Sequence, residues 1–182
     1  MAEFTFAPLT PASFLDRSAA VFADRTAIID GERRFTYQDM SDRCGRLMAA
    51  LAAQGVARED RVAALCANSH VMLELHYAVP ALGAALVTVN VRLSAAEMAD
   101  ILDHCGASLL VATHEFADRA RDLAKQLNLP CFIAGGPDDS YEGWIADADP
   151  AGVRPGPVDE RQLLAINYTS GTTGRPKGVM YH

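Results

Sequence analysis

The sequence predicts an α/β fold, a doubly wound and mostly parallel sheet with helices on both faces. Short apolar strands without polar alternation recur at Arg61 to Cys66, Ala85 to Val89, Ser108 to Ala112 and Cys131 to Ala134. Segments with helical spacing of apolar residues separate them. A strand with no polar side needs cover on both faces, and strand–helix alternation supplies that cover in a parallel sheet. At 182 residues the chain is long enough for one domain with a sizeable core.

The elements follow in order from periodicity and breakers. Phe14, Val21 and Phe22 suggest a first helix. Thr26 to Asp30 and Arg33 to Thr36 flank Gly31 and read as a hairpin. Thr36 then caps a helix with Asp39 at its start, an apolar stripe of Met40, Cys44, Leu47, Met48 and Leu51, and Gly55 at its end. Ser69 to Leu82 is helical, with a kink expected at Pro80. Ser94-Ala-Ala-Glu97 is a capping box opening a helix that Gly106 closes. Phe116, Ala120, Leu123 and Leu127 line the next helix. From Gly135 to Asp159 the composition turns to Gly, Pro and Asp around a short apolar patch at Trp144 and Ile145, which reads as a surface excursion before a last strand-like run, Leu163 to Tyr168.

Composition narrows the function. Half of the residues are apolar, as in a folded globular chain. A net charge of −7 leaves no basic face to hold nucleic acid by counterion release. The opening Met1-Ala-Glu3 lacks the basic start and apolar core of an export signal. The most apolar stretch, Val71 to Val89, contains Glu74, His76 and Pro80 and so reads as buried helix and strand, not as a membrane span. Cys44, Cys66, Cys105 and Cys131 are too far apart for a CxxC pattern. Cys44, Cys66 and Cys131 fall in apolar settings and read as buried free thiols, which points to a reduced, cytoplasmic location. His70, His76, His104 and His114 have no metal-ligand spacing and read as surface or helix-end residues. Trp144 reads as a small local core, and Met40, Met48, Met72 and Met98 as core-facing helix residues.

One segment carries chemistry. Thr169, Ser170, Thr172 and Thr173 supply hydroxyls, Gly171, Gly174 and Gly178 supply backbone freedom, and Lys177 supplies a cation, all within ten residues after a strand. Glycine lets successive N–H groups turn toward one concavity, hydroxyls donate to phosphate oxygens, and lysine adds a mobile positive charge. The plain alternative is a polar surface turn, against which the ordered combination of glycines, hydroxyls, proline and lysine argues. The pattern departs from the common P-loop. Pro176 precedes Lys177, Gly178 follows it, and Val179-Met-Tyr181 favours extended chain, so no helix dipole assists and the hydroxyls carry more of the binding.

Thr169 to Gly178 resembles the phosphate-loop signature of the ANL superfamily of AMP-binding, adenylate-forming enzymes: acyl- and aryl-CoA synthetases, peptide-synthetase adenylation domains and luciferases. Phe35-Thr-Tyr-Gln-Asp39 and the stretch Val79 to Val111, with Ala84 to Asn90 and Arg92 to Glu97, are similar to further regions of that family. Thr172-Thr173 and Val89-Asn-Val-Arg-Leu93 look most like short- or medium-chain or aryl acyl-CoA ligases.

The resemblance implies a fold, a reaction and a division of labour. Residues 1–182 would be the N-terminal part of an adenylate-forming domain. A carboxylic acid would attack the α-phosphate of ATP to give an acyl-adenylate and pyrophosphate, and CoA would then take the acyl group as a thioester. Thr169, Ser170, Gly171, Thr172, Thr173, Gly174 and Lys177 would bind ATP, with Thr169 also touching Mg²⁺. Catalytic residues are expected beyond His182 and none within the chain, so the chain alone is expected to be inactive and prone to aggregate. A homodimer of the full-length parent stays open. So do two other readings: an adenylation domain that loads a carrier protein, and a nucleotide-binding module without catalysis.

Overall fold

Thr10, Thr36 and Ser94 each start a helix by the same local chemistry. The side-chain oxygen accepts the N–H three residues on, and that residue's side chain returns a bond to the cap's own N–H. The computed structural model describes residues 9–153, 159–169 and 176–182. In chain order its main elements are α1 (Pro11–Phe22), β1 (Thr26–Asp30), β2 (Arg33–Thr36), α2 (Tyr37–Ala53), β3 (Arg61–Leu65), α3 (His70–Ala81), β4 (Ala85–Thr88), α4 (Ala95–Cys105), β5 (Leu109–Thr113), α5 (Ala117–Leu127), β6 (Cys131–Ala134), α6 (Tyr141–Ala146), β7 (Ala165–Thr169) and β8 (Lys177–Tyr181).

β1 and β2 form a separate antiparallel hairpin. The other six strands form one sheet in the order β6-β5-β3-β4-β7-β8. All neighbours in it are parallel except β7 and β8, which are antiparallel. Period-two alternation divides each central strand between two cores. Val62 and Ala64 of β3, with Leu109 and Val111 of β5, pack into the layer that holds Leu15, Leu47, Leu51, Leu75 and Ile145. Ala63, Leu65, Leu110 and Ala112 pack against Met98, Leu102, Ala120 and Leu123 from α4 and α5. The sheet is therefore covered on both faces, which is why its strands show no polar alternation.

The first helix forms where the sequence suggested it, with Leu15 and Ala19 turned inward and Phe14, Val21 and Phe22 exposed. The structure departs from the sequence reading in three places. Pro80 is the next-to-last residue of α3, so the helix has no further turn for a kink to redirect. Cys44 and Cys66 are buried free thiols, and burial pushes the Cys66 thiol up to about 12, but Cys131 is only half-buried. The segment after Gly135 is more than a surface excursion. It contains α6, which rests on α2, with Tyr141 fully buried, Ile145 in the core and Trp144 stacked on Phe132 at 3.7 Å between ring centroids.

Tyr141 is buried because its hydroxyl has a partner. It donates to Oε2 of Glu74 at 2.7 Å, and Glu74 is also held by the Arg43 guanidinium. Arg43 reaches on to both carboxylate oxygens of Glu142 at 2.9 Å, a bidentate pair. His70, at the start of α3, bridges Nδ1 to Asp30 at 2.6 Å and Nε2 to Glu142 at 3.5 Å. His70 is thus a helix-end residue, as expected, but a buried one that ties the β1–β2 hairpin to the main sheet layer. The mutual pairing of these charges makes their burial tolerable.

Glu74→Ala should therefore lower stability by about 3 kcal/mol in urea or guanidinium unfolding, because it strands the Tyr141 hydroxyl and one face of Arg43. A loss below about 1 kcal/mol would assign the cluster the value of an exposed pair instead. The charges also set a pH window. The bond from His70 and then the Arg43 guanidinium hold the Glu142 carboxyl at about 2, against burial, from an ordinary 4.5. Its stabilisation is present above the ordinary value and lost as pH falls through about 2. For His70, burial alone would lower the value, but Glu142 and Asp30 together raise it, so its stabilisation is present at low pH and lost as pH rises through the raised value. Unfolding midpoints measured across acid pH should fall between about 4.5 and 2. Glu142→Gln should flatten that limb, and an unchanged slope would remove Glu142 from the acid response.

Candidate phosphate-binding site

β7 is parallel to β4 and ends at the carboxyl edge of the sheet, where open α/β sheets place their ligands. Its position is fixed on both sides. The Thr88 hydroxyl donates to Asn167 Oδ1 at 2.6 Å across the β4–β7 pair. β8 returns antiparallel, with Asn167 opposite Val179, Tyr168 opposite Gly178 and Thr169 opposite Lys177. The strand expected from Leu163 to Tyr168 is thus present, and Val179 to Tyr181 is extended as its composition predicts.

The register decides which groups meet. Residues directly opposite in an antiparallel pair carry their side chains on one face, with Cβ atoms about 5 Å apart. Thr169 and Lys177 are such a pair and both are exposed. The Thr169 and Lys177 side chains therefore leave the hairpin on the same face at the mouth of the loop, both open to solvent. Ser170, Gly171, Thr172, Thr173 and Gly174 of the predicted site lie outside the described residues. Lys177 opens a strand, not a helix, so the mouth has no helix dipole and relies on hydroxyl, amide and ammonium groups.

Two features beneath the mouth were not visible in the sequence. Gly178 gives room for the Tyr168 ring: a Cβ there would lie 3.3 Å from Tyr168 Cζ and 3.0 Å from Ile166 Cγ2. The Tyr168 hydroxyl in turn shares a hydrogen bond of 2.6 Å with His104 Nδ1, the two rings meeting edge to face with centroids 5.8 Å apart. Burial raises the Tyr168 phenol above its ordinary value, so it keeps its proton for that bond. His104 is an exposed helix-end residue as the sequence suggested, but its partner is 64 positions away, and no local pattern announces a contact at that separation.

A cavity of about 310 Å³ opens beside the mouth, lined by Asp100, Ile101, Asp103, His104, Tyr168 and Pro176. Its two carboxylates, Asp100 and Asp103, disfavour a polyanion in this cavity. Among the described residues, no three His, Cys, Asp or Glu side chains gather as a metal site, and no helix is long and apolar enough to cross a membrane.

Residues 15–182 match the AMP-binding enzyme family. The chain is 36% identical to an acetate/butyrate–CoA ligase of Arabidopsis thaliana over 97% of its own length and 35% of the relative's. It is 34% identical to a benzoate–CoA ligase of the same plant over 99% of its length and 34% of the relative's. Its fold superposes on the anthranilate CoA ligase AuaEII, solved with anthranoyl-AMP, with a TM-score of 0.84 and 26% identity over 93% of this chain and 34% of that one. A Mycobacterium tuberculosis fatty acyl CoA synthetase gives 0.80 and 30% over the same shares, 93% and 34%. The chain thus spans about a third of the length of these proteins (34–35%).

The expectation of a cytoplasmic location is corrected by the same relatives, since both plant ligases are peroxisomal by name. Free thiols report a reducing environment and do not distinguish one such compartment from another. The loop signature, the doubly covered sheet and a family match running from Leu15 to His182 agree, and the chain belongs to the AMP-binding enzyme family, the adenylate-forming ANL superfamily.

Proposed function

We propose that this chain is the N-terminal part of the adenylate-forming domain of an ATP-dependent acid–CoA ligase, and that its β7–β8 hairpin holds the triphosphate. The pairing of Thr169 with Lys177 on one open face at the carboxyl edge of the sheet carries this reading. The substrate would be a small aliphatic or aryl carboxylic acid, the classes named for the plant relatives. Their names also favour CoA over a carrier protein as acceptor.

In the first half-reaction the acid's carboxylate displaces pyrophosphate from the α-phosphorus, and negative charge grows on the departing phosphates. Lys177 stands where it can neutralise that charge, and the Thr169 hydroxyl can donate to a phosphate oxygen beside it. Donors that are already in place need not reorganise as charge develops, so they lower the barrier more than mobile water does. Ser170 to Gly174 would extend the same set of donors around the phosphates. In the second half-reaction the CoA thiol displaces AMP from the acyl group, for which the described residues supply the scaffold and no named participant.

A magnesium ion fits this donor set. Thr169 offers one neutral oxygen, and among the described residues no group of three His, Cys, Asp or Glu side chains forms a competing site, which suits a cation that takes most of its oxygens from phosphate and water. Bound there, magnesium would neutralise and orient the phosphates.

Lys177→Ala in the full-length protein should lower acid-dependent ATP–pyrophosphate exchange by about 100-fold, the usual size for one preorganised charge-stabilising donor. Lys177→Arg should recover part of it. Exchange at the wild-type rate in Lys177→Ala would remove the lysine, and with it the hairpin, from the nucleotide site.

A further inference from the structure

We propose that His104 is a positioning residue for the phosphate-binding hairpin, acting through Tyr168 and not through contact with substrate. The inference rests on the reading of the hairpin as the triphosphate holder and adds a residue to it. Tyr168 immediately precedes Thr169, and its cross-strand partner Gly178 immediately follows Lys177. The Tyr168 ring, lying against Gly178, therefore touches both strands one residue below the Thr169–Lys177 pair. Whatever fixes that ring fixes the height and tilt of both phosphate-facing groups.

The ring is fixed from outside the hairpin by His104, and His104 sits on a well-anchored base. It lies in the last turn of α4, which Gly106 closes in the left-handed conformation at φ +61°. Arg61 at the start of β3 clamps that end, with Nε donating to the Cys105 carbonyl at 2.6 Å and Nη2 to the Gly106 carbonyl at 2.7 Å. A Cβ at Gly106 would come within 2.5 Å of the same guanidinium, so the clamp requires glycine there. A continuous path thus runs from β3 through Arg61, the end of α4 and His104 to Tyr168 and the loop mouth. On the other flank, the Thr88–Asn167 bond holds β7, and among the described residues no side-chain hydrogen bond is made by a residue of β8. The His104–Tyr168 contact is what braces the outer strand's neighbour against rotation.

A purely stabilising contact and a positioning contact differ in what they change. In the full-length protein, Tyr168→Phe and His104→Ala should each raise KM for ATP about fivefold, the value of one net hydrogen bond. Neither should change KM for the acid or CoA. The double variant should be no worse than either single, because both remove one interaction. His104→Asn, whose Oδ1 can take the place of Nδ1 and accept from the Tyr168 hydroxyl, should restore most of the loss. An unchanged KM for ATP, or an equal rise for ATP and acid, or a fall in Tm with kinetics intact, would overturn the proposal. So would failure of the asparagine variant to rescue. Lys177→Ala in the same assay separates the two readings: normal exchange there defeats the nucleotide assignment and this proposal together. Impaired exchange in Lys177→Ala beside normal ATP kinetics in His104→Ala defeats only this one.

Discussion

The antiparallel return of β8 onto β7 is the constraint on which the site depends. Every other neighbour in the sheet is parallel, and a parallel connection would have sent the chain from the loop into a crossover helix. A helix there would have offered its amino end to an anion. The hairpin gives that up and gains register in exchange. Once Ala165 pairs with Tyr181, the period of two places Thr169 opposite Lys177 with both side chains on one face. The composition of the loop follows from the same choice. With no helix dipole to attract phosphate, the sequence supplies four hydroxyls and a lysine within ten residues.

A second constraint keeps the remaining sheet in place to receive that hairpin. The cluster of Arg43, Glu74, Tyr141, Glu142, His70 and Asp30 joins α2, α3, α6 and the β1–β2 hairpin through charge-assisted bonds. Phe35 stacks on His70 at 4.9 Å and lies under the Arg43 guanidinium at 5.3 Å, so an aromatic ring shields the cluster from the hairpin side. Apolar packing would hold these elements together without specifying their angles. Directed bonds between them select one arrangement, and each member is satisfied only if all are seated.

Local signals in the sequence were read well, and distant ones were not. The helix cap at Thr36, the capping box at Ser94, the helix end at Gly106, the β1–β2 hairpin and the unbroken apolar strands are all decided within about ten residues, so periodicity and breakers reveal them. The burial of Tyr141 depends on Glu74, 67 positions earlier, and a Gly/Pro/Asp-rich neighbourhood conceals it. The same applies to His70, whose carboxylate partners lie 40 and 72 positions away. Phe14, Val21 and Phe22 marked the first helix, yet all three are exposed: helical spacing shows that a helix forms but not which residues face inward. For the site, composition and order marked the loop and its lysine. The register that sets Thr169 beside Lys177, and the His104–Tyr168 brace beneath them, are properties of the folded sheet.

The open mouth also limits what this part of the molecule can do. Phosphate oxygens are alike in every nucleoside triphosphate, so under the proposed function a hydroxyl and an ammonium would hold the triphosphate without choosing the base. Tyr168, the residue before Thr169, has its ring against Gly178 and its hydroxyl on His104, so it is engaged within the fold. Selection of adenine, like selection of the acid, would then fall to groups other than the described residues of this hairpin. The contribution proposed for the hairpin is charge at a fixed place, and the rigidity of its base would then decide how much of that charge reaches the transition state.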